Sequence, residues 1–159
     1  MQKQLIIIMK TTNLNSYLNI LLATESAFAL QIRNAHWNLI SFHFKPMHEW
    51  LGELYNESNS RIDEIAERNK MIGGIAHASF SEYQKSSLIH LPEEALMNED
   101  VIITTLMQST ENLIGLIKKG IELAEELKDP GTEDFLTRIL QEHEKLNWFL
   151  KSHFAKSNQ

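Results

Sequence analysis

The sequence predicts an all-α protein, a four-helix bundle built from two long helical hairpins joined by a long crossover that carries a short extra helix. Three observations support this. Only 6 Gly and 3 Pro interrupt 159 residues, and they cluster, leaving long unbroken stretches. Within those stretches apolar residues recur at spacings of three, four and seven, the period of a helix face rather than of a strand. Short breaks separate the first stretch from the second and the third from the fourth, so each pair folds back on itself, and about 25 residues lie between the pairs.

The first helix is expected from about Asn15 to Leu39. Leu14, Leu18, Leu21, Phe28 and Ile32 line one stripe, which His36 extends. A break follows at Ser41-Phe42-His43-Phe44-Lys45-Pro46, where Pro46 suits the first turn of a new helix. The second helix runs to the stop signal Gly73-Gly74, with Met47, Leu51, Leu54, Ser58, Ile62 and Ile65 on its buried face. Glu53, Arg61, Glu64 and Arg68 form its charged face. Such a helix of roughly 27 residues is about 40 Å long. Ile75 to Met97 reads as an ordered crossover with a weak helix from Ser81 to Ile89. The third helix starts at Asn98, a good N-cap with Glu99 and Asp100 in the positive first turn, and ends near Lys128, before Asp129-Pro130-Gly131. The fourth runs from Thr132, with Glu133 and Asp134 in its first turn, to about His153. Residues 1–12 read as a flexible N-terminal tail, and 13–155 as a single domain.

Composition narrows the chemistry. With 43% hydrophobic residues the chain buries a core and is not disordered. The absence of Cys removes disulfides, thiolate zinc sites, iron–sulfur clusters and cysteine nucleophiles together. The apolar run Leu5 to Met9 is far shorter than the ~20 residues of a membrane span, so the expectation is a cytoplasmic protein with no membrane partner. Fifteen basic against 21 acidic residues, net −6, argue against a dedicated nucleic-acid surface. What remains is His, carboxylate, hydroxyl and Lys chemistry, and seven His stand out.

Bundle-centred di-iron sites use Glu-x-x-His pairs. The residues three places before the seven His are Arg33, Ile40, Lys45, Gly74, Ser87, Leu140 and Leu150, so no such pair exists, and neither does His-Glu-x-x-His. No Gly-rich phosphate loop or nucleophile-elbow motif is present.

Four other residues form a constellation: His36 at the end of the first helix, His48 at the start of the second, and Asp63 with Glu67 one turn apart further along it. Singly, such carboxylates are ordinarily solvated surface and such histidines structural. Together, two imidazoles and two carboxylates suit a borderline divalent ion such as Fe²⁺. His48 and Asp63 lie fifteen residues apart on one helix, about 22 Å, whereas ligands of one ion lie ~2 Å from it. Yet they differ by only about 60° around the axis and face the same partner. A second copy packed antiparallel about a two-fold axis brings the His end of one chain to the carboxylate end of the other, giving two equivalent intersubunit sites.

His36-Trp37-Asn38, His48-Glu49, Asp63-Glu64-Ile65-Ala66-Glu67-Arg68 and Gly73-Gly74 resemble the signature of the Dps family, the DNA-binding proteins from starved cells or mini-ferritins. The likeness continues through Ala124-Glu125-Glu126, Thr132-Glu133-Asp134 and Glu144-Lys145 to Trp148-Phe149-Leu150, covering most of residues 15–153. It implies a ferritin-like fold and a hollow dodecamer. That shell oxidises Fe²⁺, preferably with hydrogen peroxide, as a ferroxidase, and stores the ferric mineral inside, protecting the cell from oxidative damage. It also implies that His36, His48, Asp63 and Glu67 are the intersubunit iron ligands, and that Trp37 is the site tryptophan that intercepts stray oxidising equivalents, with simple aromatic packing as the alternative.

The likeness has departures. Many members carry an acidic residue four places after the second His, where this chain has Gly52; Glu53 points about 100° away. A weaker second iron position is expected. His43 is an auxiliary ligand or a surface residue. The resemblance implies acidic three-fold pores, with Asp134 as the pore residue and Glu142 and Glu144 further along the route. His143 and His153 fall on the apolar stripe of Phe135, Ile139, Leu146 and Leu150 and read as packing. The ends offer only Lys3, Lys10, Lys151 and Lys156, so direct DNA binding is expected to be weak or absent. The alternative function is a non-catalytic shell that compacts DNA or binds partners.

Overall fold

The computed structural model describes residues 13–153 and contains five helices: α1 (Leu14–Asn38), α2 (Phe44–Met71), α3 (Phe80–Ser86), α4 (Glu99–Glu126) and α5 (Pro130–His153). Among the described residues there is no strand, only an isolated bridge between Ile40 and Asn98. The expected tail at 1–12 and the last residues of the expected domain, 154 and 155, lie outside the described residues.

Helices α1 and α2 pack as one hairpin and α4 and α5 as the other, with α1 also against α4 and α3 against α1. Ile40, just past α1, bridges to Asn98 at the start of α4. At the other end the Tyr17 hydroxyl donates to the Leu116 carbonyl at 2.9 Å. Helices α1 and α4 are therefore antiparallel, which makes α2 and α4 parallel. The chain must then travel the whole bundle length between them. Polar side chains of α1 hold that crossover in place. Asn19 bonds Ile75 and His77, Thr24 accepts from the Leu88 amide, and Asn34 bonds Glu94 and Leu96. Ile89 and Leu96 seal its inner side.

The predicted core stripes are buried: Leu18, Leu21, Phe28 and Ile32 from α1, Leu51 and Ile65 from α2, Ile102, Leu106, Leu113 and Ile117 from α4, and Leu136, Ile139 and Leu150 from α5. Gly120 lets the two hairpins meet, since a Cβ there would lie 2.2 Å from the Tyr17 ring. Gly73 ends the second helical stretch with φ +84°, a conformation that favours glycine.

Several expected boundaries move. Helix α2 begins at Phe44, within the expected break, and Pro46 stands in its first turn as expected, where no intrahelical donor is lost. Helix α5 begins at Pro130 rather than Thr132, because the Asp129 carboxylate caps it, accepting from the Thr132 amide at 3.0 Å, with Pro130 preset for the first helical position. Helix α4 stops at Glu126, short of Lys128, which turns through φ 57°. The weak helix is α3, starting at Phe80 on its Ser79 cap. One side chain changes face: Arg61, expected on the charged face, is 4% exposed, while Ile62 is half-buried against the core as expected.

Candidate metal centre

His36 lies in the last turn of α1 and His48 in the second turn of α2, either side of the short loop that folds the hairpin. Their rings stack with centroids 3.8 Å apart and planes 20° apart. Each ring is anchored by the other's backbone. His36 Nδ1 donates to the His48 carbonyl at 2.8 Å, and His48 Nδ1 donates to the His36 carbonyl at 3.0 Å. A carbonyl can only accept, so both protons sit on Nδ1, and in the neutral rings both Nε2 atoms carry the lone pair. This is the second-layer support that fixes tautomer and orientation in metal-binding histidines. Phe44 stacks on the far side of His48 at 5.1 Å, and the Tyr55 ring meets His36 edge-on at 5.3 Å.

Asp63 and Glu67 are exposed on α2, and neither has a hydrogen bond or ion pair among the described residues. Their freedom contrasts with Glu64, which pairs with Arg138, and with Arg68, which ties the end of α2 to Asp129 at 3.0 Å and to Thr132. The protomer thus brings His36 to His48, and Asp63 to the same helix face as Glu67, but leaves the two halves about 22 Å apart. Among the described residues, no three His, Asp or Glu side chains of one chain come together as a metal site.

Gly52 lies directly against His36: a Cβ there would lie 3.2 Å from His36 Cε1. Glu53 is on another side of α2, in a groove of about 450 Å³ between α2 and α5, with Glu57, Glu64, Glu142 and Lys145. His43 lies against Glu99, 3.4 Å away. The Glu99 carboxyl is held below the usual range, first by the Ser41 hydroxyl and then by His43 and His153, against its burial. Trp37 is 69% exposed. Asp134 is exposed near the start of α5, Glu142 is tied to Arg61 at 3.4 Å and Arg138 at 2.7 Å, and Glu144 pairs with Lys118 at 3.3 Å. His143 is buried, as its stripe position implies, whereas His153 stacks on Trp50 at the exposed end of α5.

The sequence reading missed a charged network in the bundle centre. Glu25 of α1 is fully buried and accepts from Ser58 at 2.7 Å and Arg61 at 2.9 Å, while its other oxygen lies 3.0 Å from His143 Nε2. Burial pushes the Glu25 carboxyl up, but His143, Arg61 and Ser58 outweigh it and hold the pKa at about 2. The same carboxylate, with Glu142, raises Arg61 against its own desolvation. The available signal was a single carboxylate amid Leu21, Leu22, Ala23, Ala27 and Phe28. The Arg61 guanidinium thus lies among carboxylates contributed by three helices, Glu25 of α1, Glu57 of α2 and Glu142 of α5.

A ferritin-like domain model matches residues 15–159. A starvation-induced DNA protection protein of Bacillus anthracis is 36% identical over 137 residues, spanning 85% of this chain and 92% of that one. Among solved structures, the Dps of Listeria innocua superposes with a TM-score of 0.86 at 28% identity, covering 91% of this chain and 98% of that one. The Dps of Vibrio cholerae, described as a member of a broad superfamily of ferritin-like diiron-carboxylate proteins, does so with 0.84 at 30% identity and 87% of each chain.

Proposed function

The chain belongs to the Dps branch of the ferritin-like domain family, and from that premise we propose that it is an iron-oxidising, iron-storing mini-ferritin whose oxidation sites lie between subunits. In this reading His36 and His48 of one protomer and Asp63 and Glu67 of the partner subunit bind Fe(II). Hydrogen peroxide is the preferred oxidant, and the ferric product is stored as mineral in a hollow dodecamer. The iron is substrate and cargo rather than a resident group.

The observation that carries the reading is the reciprocal histidine pair. Two imidazoles whose Nδ1 atoms are fully committed to backbone carbonyls present two oriented Nε2 donors, the arrangement a metal ligand needs. The unpaired carboxylates 22 Å along the same helix complete the donor set only across an antiparallel dimer. The donor mixture favours Fe²⁺ over harder ions. Neutral Nε2 atoms and anionic oxygens stabilise the ferric state as an electron leaves, while the reciprocal hydrogen bonds hold the rings still. Trp37 is the site's outer aromatic, Asp134 lines the pore through which ions enter, and Glu142 and Glu144 lie on the route to the cavity.

Anaerobic Fe(II) titration followed by peroxide, monitored near 300 nm, tests the reading. The doubly substituted His48→Ala, Glu67→Ala protein is expected to lose fast oxidation, and wild-type rates in it would refute the assignment.

The DNA-compacting alternative meets an electrostatic obstacle, since each chain contributes −6 to an assembly that must approach phosphate. Gel retardation that disappears between low and physiological salt fits the iron reading, whereas retardation persisting at physiological salt favours the alternative.

A further inference from the structure

The centre of the bundle has the carboxylates of a metal site, and a side-chain cation stands among them. We infer that Arg61 fills the cation position of a bundle-centred metal site, and that its guanidinium is the specificity determinant that keeps divalent ions out of the bundle. The inference does not depend on the assignment of His36, His48, Asp63 and Glu67.

Bundle-centred sites of ferritin-like di-iron proteins take inward-facing Glu residues and Glu-x-x-His pairs from different helices. The same plan is present here with altered residues. Glu25 of α1 is the inward carboxylate. Ser58 and Arg61 of α2 have the i, i+3 spacing of a Glu-x-x-His pair, and both donate to one Glu25 oxygen, at 2.7 and 2.9 Å. Glu142 and Glu57 lie 3.4 and 4.0 Å from Arg61 Nη1, and His143 Nε2 lies 3.0 Å from the second Glu25 oxygen.

Three features distinguish this cluster from an ordinary buried ion pair. The first is charge. Three carboxylates face one guanidinium, and Arg138, which also bonds Glu142 at 2.7 Å, is shared with Glu64, so negative charge is in excess. A divalent ion would offset more of it than Arg61 does. The second is fit. Arg61 and His143 are 4% and 1% exposed, yet Arg61 Nη2 and His143 Nδ1 have no hydrogen-bond partner among the described residues. A guanidinium presents its donors in a flat fork, and the oxygens here satisfy only part of it. The third is access. Glu57, Arg61 and Glu142 all line the groove of about 450 Å³ between α2 and α5, so an ion entering it meets the guanidinium at the carboxylates and is repelled. Because arginine does not lose its proton in proteins, the position stays filled by positive charge at any working pH.

The test uses assembled protein carrying His48→Ala and Glu67→Ala as the parent, so that those donors are silent, and Co(II) as the probe. Arg61→Ala is added to it, and bound Co(II) per chain is counted by equilibrium dialysis, with melting followed in the presence and absence of the ion. The Arg61→Ala protein is expected to bind one more Co(II) per chain than its parent and to lose that ion when Glu25→Gln is added. Co(II) should raise its melting temperature by several degrees and leave the parent's unchanged. Arg61→His, which keeps a donor for Glu25, should gain the same ion and serves where the alanine variant does not fold. A folded Arg61 variant with the parent's Co(II) count, an extra ion that survives Glu25→Gln, or a parent whose own Co(II) binding depends on Glu25 would overturn the inference. So would failure of both Arg61 variants to fold with Co(II) present, since the bound ion should replace the lost charge.

Discussion

His36 and His48 hold each other through their backbones: each ring's Nδ1 donates to the other residue's carbonyl, at 2.8 and 3.0 Å, while the rings stack at 3.8 Å. Removing either ring therefore does more than delete one ligand, because it also takes away the ring stacked on the survivor and the donor to the survivor's own carbonyl. His48→Ala is expected to weaken Co(II) binding by at least the roughly 10–100-fold that loss of a supporting partner costs, without unfolding α2, since His48 is half-buried and outside the core cluster. Calorimetric titration checks the affinity and circular dichroism the fold. Unchanged affinity would mean that His48 is structural.

Gly52 bears on stoichiometry. A Cβ there meets His36 Cε1 at 3.2 Å, a contact that a shift of a few tenths of an ångström relieves. Gly52→Asp is expected to fold, to add a carboxylate beside the imidazoles, and to raise Co(II) bound from one to two ions per site. An unchanged count in a folded variant would show that the aspartate does not reach the metal.

The Glu25 network makes a prediction about acid. Its folded pKa of about 2 lies below the ordinary 4.5, so its contribution is complete above pH 4.5 and is lost as pH falls from there toward 2. Stability should drop by roughly 1 kcal/mol per pH unit through that window from this group. Glu25→Ala takes from Arg61 its buried carboxylate, leaving only the more exposed Glu57 and Glu142, and takes from His143 its hydrogen-bond partner, and should cost about 3–5 kcal/mol at pH 7, with a smaller difference from wild type at pH 3. Denaturant unfolding at the two pH values measures both. A constant difference would mean that the carboxylate is not the titrating group.

Gly120→Ala tests the packing of the two hairpins. The new methyl would lie 2.2 Å from Tyr17, whose hydroxyl bonds the Leu116 carbonyl, so ring and hydrogen bond must both shift. A loss of about 1–3 kcal/mol is expected from overpacking, read as a lower melting temperature. A neutral result would show that α1 and α4 separate easily there.

The helices, their core faces and the crossover were legible because apolar periodicity reports burial on a long helix directly. The division of the four candidate residues into two distant halves was legible for a different reason: helix rise converts sequence separation into distance, about 22 Å between His48 and Asp63. Arg61 and Glu25 were not legible. Each on its own reads as surface charge, and only the tertiary meeting of α1, α2 and α5 pairs the two inside the core. The Asp129 cap was hidden because a proline beside it looks like a stop signal, yet suits a first helical position equally well. The reciprocal bonds of His36 and His48 depend on backbone carbonyls, which no residue type announces.

The central claim is that each iron site takes its histidines from one subunit and its carboxylates from another. Co-expression of a His36→Ala, His48→Ala chain with an Asp63→Ala, Glu67→Ala chain tests it, with Co(II) binding as the readout. Each variant alone should bind no Co(II) at these sites. In mixed dimers one of the two sites is built wholly from unaltered residues, so random pairing should restore about a quarter of wild-type binding. Mixed assemblies as inactive as their parents would contradict the account, because a site contained within one chain cannot be rescued by a partner.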